Sequence, residues 1–234
     1  MITLTFALPA ESSGFVRQLR DRRRTARNGT ETIQGRFSDK EIELIHTGVG
    51  HASTQKRLDH YLESARPTLL ISSGFAGAAR SNYRVGDLIL AENFSDADLL
   101  ASARRVVRDR NAHAARLFTS PAVIDAMADR EEVARRHNAM AIDMETETIA
   151  QLCATRGVRM LSLRVLSDTP RHPFPLPPQV LFDLERQRTD AMRLAAYLVT
   201  HPTVWPRLLS FARQVQRARR SLTEALVTLL QNPL

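Results

Sequence analysis

The chain has 234 residues, 43% hydrophobic and 25% charged, which suits one large domain, or one domain with an appendage, and supplies enough apolar material for a sizeable core. No run of eighteen apolar residues is present to span a membrane, the single cysteine (Cys153) has no partner for an internal disulfide, and no Cys/His spacing fits zinc. The net charge of +8 favours an anionic partner, but the basic clusters at residues 17–27 and 207–220 come with no nucleic-acid-binding motif, so each is expected to be a solvated helix face.

In chain order, residues 2–8 predict a strand; they carry no basic leader of the kind that precedes a signal sequence. Residues 15–23 look helical. Residues 32–37 and 41–46 predict a hairpin turning at Ser38-Asp39-Lys40. Gly48-Val49-Gly50 opens a helix running to about residue 64. Residues 68–72 form a buried strand that ends in a glycine-rich turn, Gly74-Phe75-Ala76-Gly77. Strands follow at 87–92 and 112–119, a polar helix at 123–137 and a short strand at 140–143. The next pair is an amphipathic helix at 145–155, with Cys153 on its apolar face, and an apolar strand at 160–166. A proline-rich loop at 170–178 leads to a helix at about 180–199, which His201-Pro202 ends. The alternation predicts an α/β fold, a central mixed sheet flanked by helices, over residues 1–200.

Residues 201–234 form a C-terminal extension. Leu208, Ala212, Val215, Leu222, Leu226 and Leu229 keep helical spacing there, and Pro206 is a candidate break near the start. The stripe is expected to pack on the body or on a second subunit. With its arginines and Trp205, the helix also has the make-up of one that lies weakly on a membrane surface.

Two carboxylate-bearing segments stand out. Asp143-Met144-Glu145 precedes the amphipathic helix, and Ser167-Asp168 ends the apolar strand. Both then lie at the carboxyl edge of a mostly parallel sheet, where one carboxylate can grip a sugar diol and the other can pass a proton. That division of labour points to cleavage of a nucleoside at its glycosidic bond.

With these elements placed, the sequence resembles the nucleoside phosphorylase/nucleosidase superfamily, and within it the methylthioadenosine/S-adenosylhomocysteine nucleosidases. The resemblance rests on Phe6-Ala7-Leu8-Pro9-Ala10-Glu11, Thr47-Gly48-Val49-Gly50, Ser72-Ser73-Gly74-Phe75-Ala76-Gly77-Ala78, Val85-Gly86-Asp87-Leu88, Ile142-Asp143-Met144-Glu145 and Leu166-Ser167-Asp168, in that order. It implies a nucleoside phosphorylase-like fold, Asp168 as the acid that protonates the leaving purine, and Glu11 as the group that orients or deprotonates the attacking water. It further implies Glu145 on the ribose diol, Met144 against the sugar, and Asp143, Gly74, Phe75 and Ser167 around the substrate.

An acidic Glu11 suits water and repels phosphate, and no arginine precedes Gly74 in the glycine segment, so hydrolysis is favoured over phosphorolysis. A phosphate-dependent phosphorylase and a non-catalytic nucleoside-binding protein remain the alternatives. Phe75 stands where relatives carry a small hydroxyl residue, and Ser120-Pro121-Ala122-Val123 stands where they carry a base-stacking aromatic, leaving Phe94 or Phe174 as candidate platforms. The expected protein is a cytoplasmic homo-oligomer acting on a small nucleoside, with no cofactor, no metal and no specific nucleic acid.

Overall fold

The strand-forming runs pair into one mixed ten-stranded sheet. In this computed structural model the described residues are 1–173 and 204–233, so the helix expected at 180–199, His201-Pro202 and Phe174 lie outside the described residues. The centre of the sheet is parallel. β1 (Ile2–Phe6) runs between β4 (Lys40–His46) and β5 (Leu69–Ala78), and β5 runs beside β10 (Met160–Asp168). β6 (Leu88–Ala91) joins β10 antiparallel and pairs in parallel with β7 (Ala112–Ala115). β8 (Leu117–Thr119) and β9 (Ala141–Asp143) pair with each other, and β9 also pairs with the end of β5.

Side-chain alternation then fixes the layers. Leu4 and Phe6 face the larger core with Leu44, Ile71, Leu163 and Val165. That face is covered by α1 (Pro9–Val16), α3 (Ala97–Val106) and the C-terminal half of α6 (Trp205–Gln231), through Phe15, Leu99, Leu222 and Leu226. Ile45, Leu70 and Met160 join a second core against Leu58 and Tyr61 of α2 (His51–Ser64) and Ile149 and Leu152 of α5 (Thr146–Thr155). Cys153 is buried in that second core, and burial pushes its thiol up to about 12, so it is an inert packing group.

The first edge departs from expectation. Residues 20–27 are not a solvated helix face but an exposed strand, β2 (Arg20–Arg27), paired antiparallel with β3 (Thr30–Phe37), and the helix before it spans Pro9–Val16. Asn28 and Gly29, at φ 45° and 78°, make the tight turn that joins these strands. The arginines suit an unpaired edge, where charge discourages pairing with another chain.

A second departure concerns the glycine segment. It is no turn: β5 runs through Gly74-Phe75-Ala76-Gly77 to Ala78. The 112–119 run divides at Arg116 into β7 and β8, and α3, which the sequence reading missed, is capped by the Asp96 carboxylate accepting from the Asp98 and Leu99 N–H groups. Pro206 does not break α6; it sits in the first turn, where a missing N–H costs nothing. Among the described residues no helix is long and apolar enough to cross a membrane.

Candidate active site

The parallel strands β1, β5 and β10 end on the same side of the sheet, and the residues beyond their carboxyl ends build the site. β1 stops at Phe6, and Pro9 starts α1 at once, which places Glu11 in the first turn over the end of β5. The Glu11 side chain is 7% exposed and accepts from two backbone N–H groups, Leu8 on Oε2 and Phe75 on Oε1, each at 3.0 Å. Burial pushes its pKa up, opposed by these two hydrogen bonds and by Arg164. Gly74 makes this approach possible: a Cβ there would lie 3.3 Å from both Glu11 oxygens and 3.2 Å from Arg164 Nη1.

Glu145 comes from the start of α5, across the site. Its Oε1 accepts from the Gly50 N–H at 2.7 Å, so the second glycine turn holds this carboxylate. Burial and the neighbouring Asp143 push its pKa up to about 8, against the pull of the Gly50 N–H and Arg164. Met144 is half-buried beside Gly50, with Cε 3.8 Å from where a Gly50 Cβ would stand. His51, next in the chain, hydrogen-bonds through Nδ1 to Thr148 Oγ1 at 2.7 Å.

Arg164 ties these groups together. It is 3% exposed in the middle of β10, where its Nε donates to Asp143 Oδ2 at 3.0 Å and its Nη2 to Ser72 and Thr146 hydroxyls at 2.9 and 2.8 Å. Asp143 has both oxygens engaged, since Oδ1 accepts from Thr119 at 2.8 Å and Oδ2 from the Thr146 N–H at 3.1 Å as well as from Arg164. It therefore positions Arg164 and the head of α5.

Glu11, Gly74, Phe75, Glu145 and Arg164 line one small cavity of about 10 Å³, together with Thr5 and Ser73. That is room for about one water molecule. The Thr5 and Ser73 hydroxyls are buried and have no hydrogen-bond partner among the described residues.

Ser167 and Asp168 end β10 beside Gly77, three residues further along β5 than Gly74, or roughly 10 Å at the rise of a strand. A bulge between Leu166 and Asp168 shifts the side-chain alternation just ahead of Asp168. Asp168 does not line the cavity around Glu11. Its Oδ1 accepts from Ser167 Oγ at 2.7 Å, and its Oδ2 accepts from Arg130 Nη2 at 2.5 Å. Burial pushes the Asp168 pKa up, and Arg130 opposes it. Arg130 belongs to α4 (Met127–His137), is 1% exposed and donates through Nη1 to the Ala78 carbonyl at 3.1 Å.

The sequence reading missed both arginines. Arg164 had a signal, being the lone charge inside an otherwise apolar strand. Arg130 had none, because it sits among the charged residues of a polar helix. The glycine segment itself has no arginine before Gly74, but β10 supplies one beside it. Phe94 packs against two core clusters and does not line the cavity. Among the described residues no three His, Cys, Asp or Glu side chains are grouped to hold a metal ion.

The fold and site define an α/β protein with buried carboxylates at the carboxyl edge of a mostly parallel sheet. The sequence pattern of the phosphorylase superfamily matches residues 2–129 and 92–200, and the chain belongs to that family. Among solved structures it is similar to the 5'-methylthioadenosine/S-adenosylhomocysteine nucleosidase of Streptococcus pneumoniae held with a transition-state inhibitor, at 18% identity and TM-score 0.74, with 98% of each chain covered. It is equally similar to the futalosine hydrolase of Helicobacter pylori, at 15% identity and TM-score 0.74, again over 98% of each chain. The S-adenosylhomocysteine nucleosidase of Streptococcus pyogenes, bound to 5-methylthiotubericidin, matches at 18% identity and TM-score 0.75 over 100% of this chain and 97% of that one.

Proposed function

We propose that this protein hydrolyses the N-glycosidic bond of a nucleoside or an adenosyl metabolite. The observation that carries the reading is the one-water cavity bounded by Glu11, Arg164 and Glu145. Glu11 is held by two backbone N–H groups, so its remaining lone pairs are aimed at a bound oxygen. Burial makes it a stronger base than an exposed glutamate once ionised, which suits removal of a proton from water as the sugar gains oxocarbenium character. Glu145 takes the ribose diol, with the Gly50 N–H fixing one of its oxygens.

Asp168 serves as the acid for the leaving base only after exchanging partners. Both of its oxygens are occupied, and Arg130 opposes the rise in pKa that burial imposes. A base that reaches Asp168 displaces the guanidinium. Burial then acts on the carboxyl without an opposing cation, and the group takes up the proton it must deliver.

Phosphorolysis is the weaker reading even with Arg164 in place. Asp143 already pairs with that guanidinium through Nε at 3.0 Å, so Arg164 is engaged rather than open to a phosphate dianion. The cavity is also too small for phosphate as it stands. The deciding experiment is a product assay on a nucleoside panel with and without phosphate. Free sugar in phosphate-free buffer supports the proposal; strict phosphate dependence with a sugar 1-phosphate product overturns it. The same panel gives the base preference and the tolerated 5′ group. Action in the cytoplasm as a homo-oligomer is part of the proposal; sedimentation and cell fractionation test it.

A further inference from the structure

A second concavity lies away from the carboxylate site. It is a groove of about 590 Å³ between the C-terminal end of α1 and the middle of α6; among the described residues it is lined by Arg17, Arg213, Arg217, Arg219 and Arg220, with Glu224 as the one carboxylate. Five guanidinium groups against one carboxylate leave a strong positive excess. That carboxylate is also shared, lying 3.1 Å from Arg110 and 3.9 Å from Arg220. Arg219 is fixed by its hydrogen bond to Ser13 at 3.2 Å, and the stem of Arg217 lies against Gly86.

The helix that supplies four of these arginines projects from the body. No residue of α6 before Ala218 is fully buried, whereas Ala218, Leu222, Leu226 and Leu229 sit in the core. At about 100° per residue, Trp205, Leu209, Arg213, Gln216 and Arg220 fall within roughly 80° of one another, on the side opposite those core residues. Trp205 and Leu209 are 51% and 57% exposed. One outward face thus carries two large apolar side chains at its tip with Arg213 and Arg220 behind them, at the rim of the arginine groove.

We infer that this face docks on an anionic lipid surface, with Trp205 and Leu209 entering the headgroup boundary and the groove taking lipid phosphates. Reversible attachment of this kind needs both an apolar and a basic contribution, and the face supplies both. Pairing of two copies through the same face would set one arginine groove against another. Nucleic acid would have no use for the apolar tip, and the groove itself has no aromatic lining for bases to stack on. The inference does not depend on the reading of the carboxylate site.

The test uses the full chain and vesicles of phosphatidylcholine alone or mixed with phosphatidylglycerol. Trp205 is the only tryptophan, so its emission reports the tip directly. Expected are co-sedimentation with phosphatidylglycerol vesicles, a blue shift of the emission on those vesicles only, and loss of both on raising salt. Arg213→Glu with Arg217→Glu should weaken binding about thirtyfold or more, taking each arginine near the surface at ~1 kcal/mol. Leu209→Gln should weaken it at unchanged charge. None of the three side chains lines the carboxylate cavity, so nucleoside turnover should match the parent. Absence of vesicle binding, equal binding to phosphatidylcholine alone, or full binding by the arginine variant overturns the inference. Tight binding of pyrophosphate or an oligonucleotide without vesicle binding also overturns it, in favour of a soluble anion site.

Discussion

The Asp168–Arg130 pair is the point at which catalysis and stability can be separated. The two side chains are 2% and 1% exposed and meet at 2.5 Å. Asp168→Asn removes the charge but keeps an acceptor oxygen. Arg130 is then left with Asp125 at 3.5 Å, itself 35% exposed, as the nearest remaining carboxylate. Breaking a buried ion pair from one side costs about 3–5 kcal/mol, and the retained acceptor together with Asp125 argues for about 3. For a chain of 234 residues that corresponds to a fall in Tm of roughly 6–12 °C.

Urea unfolding followed by circular dichroism measures the loss. Turnover, measured well below the melt, should fall by at least about two orders of magnitude because the acid is gone. Arg130→Met should behave differently: Asp168, already pushed up by burial, takes a proton instead of standing as a bare buried charge, and turnover is retained. The double variant should recover part of the stability lost in Asp168→Asn, since both charges are now absent, yet stay inactive. Stability losses in the double variant that equal the sum of the singles would refute the coupling, and wild-type-like turnover of Asp168→Asn would remove it from the mechanism.

Glu11→Gln should keep nucleoside binding, because the amide matches the carboxylate in size, and lose turnover by about 10²-fold or more in single-turnover assays. Gly74→Ala sets a Cβ 3.3 Å from the Glu11 oxygens at a φ of 156° that side chains rarely adopt and should lower both kcat and the melt, whereas Ala introduced at exposed Gly29 or Gly157 should leave kcat untouched. Glu145→Gln should raise KM for the nucleoside, while Glu147→Gln on the exposed side of α5 should not; equal losses would point to helix stability instead. Glu145 keeps its proton to about pH 8 in the folded chain, against a reference value of 4.5. Between those values unfolding releases a proton, so stability should fall as pH rises towards 8 and level off above it. Denaturant midpoints from pH 5 to 9 should show that decline, reduced in Glu145→Gln.

The sequence discloses structure where burial imposes a pattern. β1, β4, β5 and β10 are buried strands; the apolar runs of β1, β4 and β10 were read at nearly their observed ends, and that of β5 at its start. β2 has the composition RDRRRTAR and is exposed almost throughout; with neither face covered, no alternation reaches the sequence, and only the Asn28-Gly29 pair announces the hairpin. The glycine segment misled for a related reason. Glycine suggests a turn, but in β5 its lack of a side chain serves the neighbours: Gly74 admits Glu11 and Arg164, and a Cβ at Gly77 would stand 3.0 Å from both Arg130 Nη1 and Asp168 Oδ2.

The same logic governs the site. Glu11, Glu145 and the Ser167-Asp168 pair were legible because each follows a strand or opens a helix, places where the chain must leave the sheet and where a carboxylate is conspicuous. What surrounds them was not legible, since partners such as Arg130 and Gly50 come from segments 38 and 95 residues away. Those partners decide the chemistry. A carboxylate met by backbone N–H groups, as Glu11 and Glu145 are, is oriented while keeping lone pairs for water or a diol. A carboxylate met by a buried guanidinium, as Asp168 is, is silenced until the guanidinium leaves. On the proposed hydrolase reading, acid and base are set apart by their partners, and entry of the leaving base at the Arg130 end would bring the acid into play.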